Sequence, residues 1–387
     1  MIITFEKEKF LEKLYPSMAT VSNKSTVVSI EGVLIETMDE GRLRLTTYDM
    51  IKGVRSYVED VEITEGGRYI INATRLLQIV KVFPDHSRVT ISVDEKLGVK
   101  ISSGKASFSL FAMRGEDFPS LPDLGGEYGF SISSGVLKRM INKTLHSVAV
   151  QDQRPVLCGA YFHIEKDLLD VTSCDSFTLS KCMVKCKVED ICERTAFFKG
   201  GVLSVNVPGH ALSEVVRLLD DDDEPVNIYV GYRHAVFHTG GVIFFTRLID
   251  GEYIDYNRLL PKVQSIFLMV NRERFLQSLE RASLVAEEKF AGAGRSYVKL
   301  TVKDNTLIVT SSSANGKIYD ELECEHEGGE IEIGFNCRLL LNSVRAADSE
   351  ELLVTMKGPL TSITVEPAEK NEDTDFFYMV WPVRMAD

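Results

Sequence analysis

Three stretches of this 387-residue chain open alike: Phe5-Glu6-Lys7-Glu8-Lys9-Phe10-Leu11, Ser133-Ser134-Gly135-Val136-Leu137-Lys138 and Asn271-Arg272-Glu273-Arg274-Phe275-Leu276. Superposing Leu11, Leu137 and Leu276 gives offsets of 126 and 139. A long internal period constrains a chain more than any local motif, because one supersecondary unit must be built repeatedly. The offsets recur downstream, where Leu43-Arg44-Leu45-Thr46-Thr47 meets Leu169-Asp170-Val171-Thr172-Ser173 and Leu307-Ile308-Val309-Thr310-Ser311 at 126 and 138. A second helical pattern follows in each third, at 74–80, 211–219 and 339–344, entered from a β-like run through Asn72, Pro208 or Asn336.

Each third therefore reads as helix, strands, helix, strands, with period-two alternation in the strands and turns such as Asp250-Gly251. The expected class is α+β, with helices packed on antiparallel sheets. Pro, Gly and charge interrupt the periodicity near 122–127 and 261–264, giving expected domains at 1–125, 126–262 and 263–387. Repeats of this length each bury their own core, so the pattern is three domains rather than a solenoid.

The chain lacks the motifs of phosphate-cradling, zinc-protease and serine-hydrolase sites. The acidic run Asp220-Asp221-Asp222-Asp223-Glu224 lacks the spaced ligands of a calcium loop and reads as a solvated connection. His86, His234, His238 and His326 read as surface residues of turns and strand edges. Cys182, Cys186, Cys192 and His163 are soft ligands in principle. Alternation instead places Cys182, Val184, Cys186 and Val188 on one strand face, with Lys181, Lys185 and Lys187 outside. Seven irregularly spaced cysteines fit a reducing compartment, and no apolar run reaches membrane-spanning length or forms a signal peptide, so the expected location is cytoplasmic.

The net charge of −13 argues at first against a polyanionic partner. Its distribution argues otherwise. The six expected helices together carry +8, which leaves −21 on everything else. Cations are concentrated on one class of element, as a surface meeting phosphate without reading bases requires.

Several segments carry a specific resemblance: Ala112-Met113-Arg114-Gly115-Glu116-Asp117-Phe118-Pro119, Gln151-Asp152-Gln153-Arg154-Pro155-Val156-Leu157-Cys158-Gly159, Leu248-Ile249-Asp250-Gly251-Glu252-Tyr253, Ile333-Gly334-Phe335-Asn336, and the tail Tyr378-Met379-Val380-Trp381-Pro382-Val383-Arg384. With the threefold repeat, they make the whole chain resemble the bacterial sliding clamps, the β subunits of DNA polymerase III. The resemblance implies a non-catalytic, cofactor-free processivity factor of the DNA-clamp fold, a head-to-tail homodimer that closes into a ring around double-stranded DNA. Twelve helices at about 10 Å each span a circumference of roughly 120 Å and leave a bore near 28 Å, wide enough for a duplex of about 20 Å.

By the same resemblance, Lys24, Arg75, Lys138, Arg139, Lys143, Gln151, Arg217, Arg272, Arg274 and Arg338 are expected to face the DNA. Ring closure is expected to join Lys105, Phe108 and Leu110 to Leu284, Val285, Asp320, Glu321 and Glu323. An outer hydrophobic cleft is expected to capture short Gln-x-x-Leu/Met-x-Phe/Leu motifs from the polymerase III α subunit, the clamp loader, other polymerases, ligase and mismatch-repair proteins. Its implied residues are Arg154, Leu157, Cys174, Phe177, Leu179, Ile254, Arg258, Leu259, Asn336, Leu339, Leu360, Ser362, Met379, Val380, Trp381, Pro382, Val383, Arg384 and Met385. Phe177 stands where many members have His, Ile254 where Pro is common, and Trp381 where Met is common, which alters the expected peptide preference. Two alternatives remain at this point: a paralogous drug-resistance clamp of the same fold, and a nucleic-acid-processing enzyme using Cys174 or Asp175, for which no base lies in register.

Overall fold

The computed structural model describes residues 1–22, 26–124, 128–165, 168–185, 189–190, 202–286, 297–313, 316–370 and 375–385. Among these the chain forms six α-helices: α1 (Lys7–Leu14), α2 (Ala73–Val82), α3 (Ser134–Thr144), α4 (Gly209–Leu218), α5 (Arg272–Ala286) and α6 (Cys337–Ala346). Each expected helix is present, and α5 is the longest at 15 residues. The entry residues explain the starts. Asn72 accepts the Arg75 amide at 3.0 Å, and Asn336 accepts those of Arg338 and Leu339 at 3.1 and 3.4 Å, satisfying otherwise orphaned first-turn donors. The α3 start is tied to the acidic loop instead, through Ser134 N–H to Glu224 O and Gly135 N–H to Asp222 O.

The chain divides into two compact units. The first holds residues 1–135, 189–190 and 214–248 among those described. Its five-stranded antiparallel sheet runs in the order Glu62–Glu65, Ile2–Glu6, Arg88–Val93, Gly98–Ser103, Ala106–Phe111. Its ten-stranded sheet begins Met113–Arg114, Arg68–Asn72, Gly32–Met38, Arg42–Tyr48, Lys52–Val58 and continues Val242–Arg247, His234–Thr239, Pro225–Val230, Tyr128–Ser133, Glu189–Asp190. The apolar stripe of α1, Phe10, Leu11 and Leu14, packs with Ile3, Phe5, Leu43, Leu45, Leu76 and Ile91 into one core.

The second unit holds the described residues of 136–188, 197–213 and 249–387. Its nine-stranded sheet runs Leu203–Pro208, Gly159–Glu165, Leu168–Cys174, Thr178–Val184, then Asp375–Val380, Ile363–Pro367, Glu351–Met356, Ile266–Asn271, Glu325–Glu327. A four-stranded sheet runs Gly316–Glu323, Thr306–Ser313, Val298–Lys303, Ile331–Phe335. Helices α5 and α6 close over it through Phe275, Leu279, Leu340 and Val344. Alternation along the strands assigns these cores much as the sequence pattern implies.

The repeat is exact at the level of pairing. Within the first unit, Lys52–Val58 meets Val242–Arg247 antiparallel, with Val54 opposite Phe244. Within the second, Thr178–Val184 meets Asp375–Val380, with Ser180 opposite Tyr378. Counting from the matched helix starts and Leu-x-Leu-like runs, Val54 and Ser180 are equivalent, as are Phe244 and Tyr378.

Two sequence readings are corrected. Lys143 is 2% exposed and its ammonium lies 2.6 Å from Asp348 and 4.9 Å from the Phe376 ring centroid. It faces the interior, because the helix turns that position toward the strand carrying Phe376. His234 and His238 are half-buried in the Pro225–Val230/His234–Thr239 hairpin rather than plain surface residues, and burial lowers the pKa of both. Cys182 is buried beside Val184, as alternation implies. Cys186, Lys187, Val188, Cys192 and Lys24 lie outside the described residues.

Candidate functional site

The implied cleft residues lie in the second unit, and a hairpin tip sets their geometry. Between Leu168–Cys174 and Thr178–Val184 the Asp175 carboxylate accepts from the Phe177 and Thr178 amides at 2.9 and 2.7 Å and from the Thr178 hydroxyl at 2.9 Å. Ser176 takes a φ of 77°, a left-handed conformation affordable at such a tip. The turn leaves Phe177 60% exposed. A short turn at Pro155–Cys158 brings in Leu157, whose amide donates to Arg154 O at 3.0 Å and whose carbonyl accepts from Ala149 at 3.0 Å.

Strand register does the rest. Leu179 lies opposite Met379, and Leu157, Cys174, Leu179 and Met379 form one buried cluster with Ile254, Tyr256, Phe377 and Trp381 packed at its edge. Leu259 and Leu360 stand 41% and 70% exposed. The tail is fastened twice, by Trp381 N–H to Phe177 O at 3.0 Å and Val383 N–H to Gly334 O at 2.8 Å. A side chain at Gly334 would begin 2.7 Å from Met385 Cγ, so the glycine makes room for the tail. Pro382, Val383 and Met385 are half-buried along it and Arg384 is exposed.

The polar rim is cationic. Arg154 is exposed, pairs with Asp152 at 3.0 Å and donates to the Ser176 hydroxyl; Arg258 pairs with Asp255 at 2.8 Å. Exposed pairs of this kind contribute little to stability and are readily exchanged for another acceptor. Ser362 is half-buried close to Leu360 in sequence. Val380 is buried with Ile363 in the α5–α6 core, the direction opposite to Met379, and Leu339 packs against that same core. Val380 is thus removed from the cleft wall, as period-two alternation requires. Tyr256 and Phe377 join the cluster without having been expected, although Phe377 lies two residues from Met379 and shares its face.

Cys174 offers no nucleophile. Burial pushes its thiol pKa up, and the neighbouring Asp175 carboxylate is committed to the turn. Burial likewise pushes the Cys182 thiol up to about 12 and the Cys324 thiol up to about 11. Among the described residues no three His, Cys, Asp or Glu side chains converge as a metal site, and no helix is long and apolar enough to cross a membrane.

Two sheet edges stand apart. The Ala106–Phe111 strand ends the five-stranded sheet, with Phe108 39% and Phe111 84% exposed and Leu110 half-buried. Lys105 is exposed in the turn before it. The Gly316–Glu323 strand ends the four-stranded sheet, with Tyr319 63% exposed, Glu321 and Glu323 exposed, and Asp320 paired with Arg281. Leu284, on the last turn of α5, is 78% exposed, and Val285 is half-buried. Phe111, the most exposed of these apolar groups, escapes sequence reasoning because alternation alone pairs Phe108 with Leu110.

Of the positions implied to face the DNA, Arg75, Arg139, Gln151, Arg217, Arg274 and Arg338 are exposed, while Lys138 and Arg272 are half-buried. Arg217 pairs with Glu214 at 2.9 Å, and Arg139 lines a cavity shared with Asp348, Glu350, Glu351 and Glu369.

Three family models account for nearly all of the chain. The DNA polymerase III beta subunit N-terminal domain matches residues 1–122, the central domain 131–255 and the C-terminal domain 257–384. The beta sliding clamp of Bacillus subtilis is 29% identical, covering 99% of this chain and 100% of that one; that of Haemophilus influenzae is 28% identical over the whole of both. Among solved structures, the Bacillus subtilis DNA polymerase sliding clamp superposes with a TM-score of 0.89 at 28% identity and the Streptococcus pneumoniae DNA polymerase III beta chain with 0.89 at 25%. The first covers all of both chains, the second 99% of this chain and all of its own. Threefold repeat, strand-for-strand architecture and full-length matches agree: the chain is a three-domain α+β sliding clamp of the DNA polymerase III beta subunit family.

Proposed function

We propose that two copies of this chain close head to tail into a ring around double-stranded DNA and tether the replicative polymerase and other replication and repair proteins by short apolar motifs held in the Leu157–Met379 cleft. The observation that carries the reading is the pair of leftover edges. In each repeat one strand type, Lys52–Val58, Thr178–Val184 or Gly316–Glu323, sits beyond the Leu-x-Leu-like strand. The first two pair with Val242–Arg247 and Asp375–Val380. The third, Gly316–Glu323, is a sheet edge, and so is the equivalent of their partners, Ala106–Phe111. An exposed, apolar, unpaired edge is an aggregation hazard unless a neighbour covers it, and a heterologous contact that closes after two copies covers both.

The equivalences support one register for the proposed joint. Val54 opposite Phe244 and Ser180 opposite Tyr378 both translate into Ile318 opposite Phe108 of a second copy. The same register sets Lys105 beside Glu321, giving the joint a complementary charge pair. Cross-strand Cα atoms lie about 4.5–5.5 Å apart, within disulfide reach. Phe108→Cys with Ile318→Cys should therefore yield a covalent two-chain ring under mild oxidation, retained on nicked circular DNA after loading and lost only on linearisation. Failure to cross-link, with Ser107→Cys and Ile318→Cys linking instead, overturns the register; a chain that is monomeric at all concentrations overturns the ring.

Held by topology, the DNA needs only weak, sequence-blind contacts with exposed helix cations such as Arg75, Arg139 and Arg338. The processivity role needs no catalytic group and no cofactor.

A further inference from the structure

The repeat that builds the cleft builds a second surface of the same construction in the first unit. Its ten-stranded sheet matches the nine-stranded sheet strand for strand, with Met113–Arg114 as the extra edge. The Asp49 carboxylate accepts from the Ile51 and Lys52 amides at 2.9 and 2.7 Å, as Asp175 does from Phe177 and Thr178, and Met50 has the same φ of 77° as Ser176. Arg247 N–H donates to Ile51 O at 2.8 Å where Trp381 N–H donates to Phe177 O at 3.0 Å. The turn before Gly32 repeats the turn before Gly159: Ile30 N–H to Val27 O matches Leu157 N–H to Arg154 O, and Ser22 N–H to Ile30 O matches Ala149 N–H to Leu157 O. Ile51 is thus the counterpart of Phe177. Tyr232 lies in the turn between Pro225–Val230 and His234–Thr239, which corresponds to the longer turn carrying Leu360.

Ile51 and Tyr232 are again apolar and exposed, and Val28 and Met50, at the positions of Pro155 and Ser176, add two more apolar side chains. Val28 is 61%, Met50 54%, Ile51 48% and Tyr232 74% exposed, which is unusual for four large side chains on loops that converge on one end of a sheet. Beneath them the construction differs. Tyr48 and Phe245, with ring centroids 5.6 Å apart, fill the positions of Cys174 and Met379. A bound segment would lie across this floor rather than sink into it. The charge differs too: Arg247 stands at the place of Trp381, and the Arg233 guanidinium lies 5.6 Å from the Tyr232 ring centroid. Of the other charges at this end of the sheet, Lys52 is 3.8 Å from Glu214 and the Asp49 carboxylate serves its turn. His234 is held below its ordinary pKa, first by burial and then by Arg247 and Arg233, in keeping with a local excess of positive charge.

We infer that Val28, Met50, Ile51 and Tyr232, flanked by Arg233 and Arg247, form a second docking site, which takes a short partner segment combining large apolar side chains with carboxylates. The class of occupant rests on the cleft reading; the site itself rests on the repeat, the exposure and the two arginines. Its shallow aromatic floor makes it the weaker site of the two.

The test uses the full chain and the hexapeptide Asp-Leu-Phe-Asp-Leu-Phe bearing a benzophenone at its N-terminus. After irradiation, adducts should map to the Asp49–Lys52 hairpin or the Tyr232 turn as well as to the cleft. Ile51→Asp with Tyr232→Asp should lower the first set at least tenfold while leaving cleft adducts unchanged. A probe with both Asp replaced by Lys should lose the first set on the unaltered chain, a readout independent of any variant's folding. Adducts confined to the cleft, or first-unit adducts indifferent to both changes, overturn the second site. Adducts confined to the first unit would instead sink the cleft reading and leave this one standing.

Discussion

Trp381 donates its amide to the Phe177 carbonyl at 3.0 Å, so the strand that ends the second unit's cleft is fastened to the hairpin tip presenting its exposed ring. Trp381 is the chain's sole tryptophan and packs at the edge of the Leu157–Cys174–Leu179–Met379 cluster. Any peptide seated there removes water from the indole.

A hexapeptide Gln-Ala-Asp-Leu-Ser-Phe should therefore shift Trp381 emission to shorter wavelength, with a dissociation constant on the micromolar scale natural to so small an anchor. Leu360→Asp, which puts a carboxylate on an exposed apolar wall without disturbing the core, should weaken binding about tenfold, or roughly 1.4 kcal/mol. Emission that does not move at saturating peptide removes the cleft from this location.

The proposed joint makes a charge prediction separable from packing. Lys105 and Glu321 are both exposed in the isolated chain. Lys105→Glu should raise the dimer dissociation constant several-fold, more at low salt than at high, and adding Glu321→Lys should restore most of the loss. Exposed pairs contribute about 0.2–1 kcal/mol, so sedimentation near the dissociation constant is the suitable measurement. Loss without rescue would show that Lys105 acts through something other than Glu321.

Where sequence reasoning succeeded, the signal was local or periodic. The recurrence at Leu43, Leu169 and Leu307 carried the threefold fold class, and Asn72, Pro208 and Asn336 marked the second helix of each repeat because helix entry is decided by a few neighbouring residues. Register is another matter. Nothing in the alternation of 52–58 or 316–323 says that one finds a partner strand within the chain and the other ends a sheet. Lys143 shows a second limit: a lysine one helical turn from Arg139 reads as part of the same cationic stripe, yet its long stem carries the charge inward to Asp348 and Phe376. The proposed cleft residues carry motifs, whereas the matching surface at Met50, Ile51 and Tyr232 has none and follows from hydrogen bonds that recur between repeats.

His146 supplies a pH prediction. Its Nε2 lies 2.9 Å from the Ser180 hydroxyl and 3.4 Å from that of Ser343, its ring stands edge-on to Tyr378 at 5.2 Å, and desolvation lowers its pKa to about 4. A folded-state pKa below the unfolded value near 6.5 means the neutral ring is favoured in the native state; that stability is complete above about pH 6.5 and is lost as pH falls toward 4. The loss attributable to His146 is on the order of 3 kcal/mol. Urea midpoints of the native chain should therefore fall between pH 6.5 and 4 more steeply than those of His146→Gln. Parallel curves would show that the ring titrates as freely folded as unfolded.

Lys143 and Arg139, one turn apart on α3, should separate stability from DNA binding. Lys143 is buried against Asp348, which is itself about half exposed and can rehydrate. Lys143→Ala should cost roughly 2–3 kcal/mol by emptying a packed position, and Lys143→Met, which keeps the volume, under about 1.5 kcal/mol. Neither change removes a charge from the solvent-facing side of the helix, so both should leave the salt dependence of duplex binding unaltered. Arg139→Ala should do the reverse, sparing the urea midpoint while reducing the slope of log affinity against log salt by about 0.9 if the guanidinium meets one phosphate. Equal slopes for the native chain and Arg139→Ala, or a loss of slope with Lys143→Met, would mean that the cationic face of α3 has been assigned to the wrong residues.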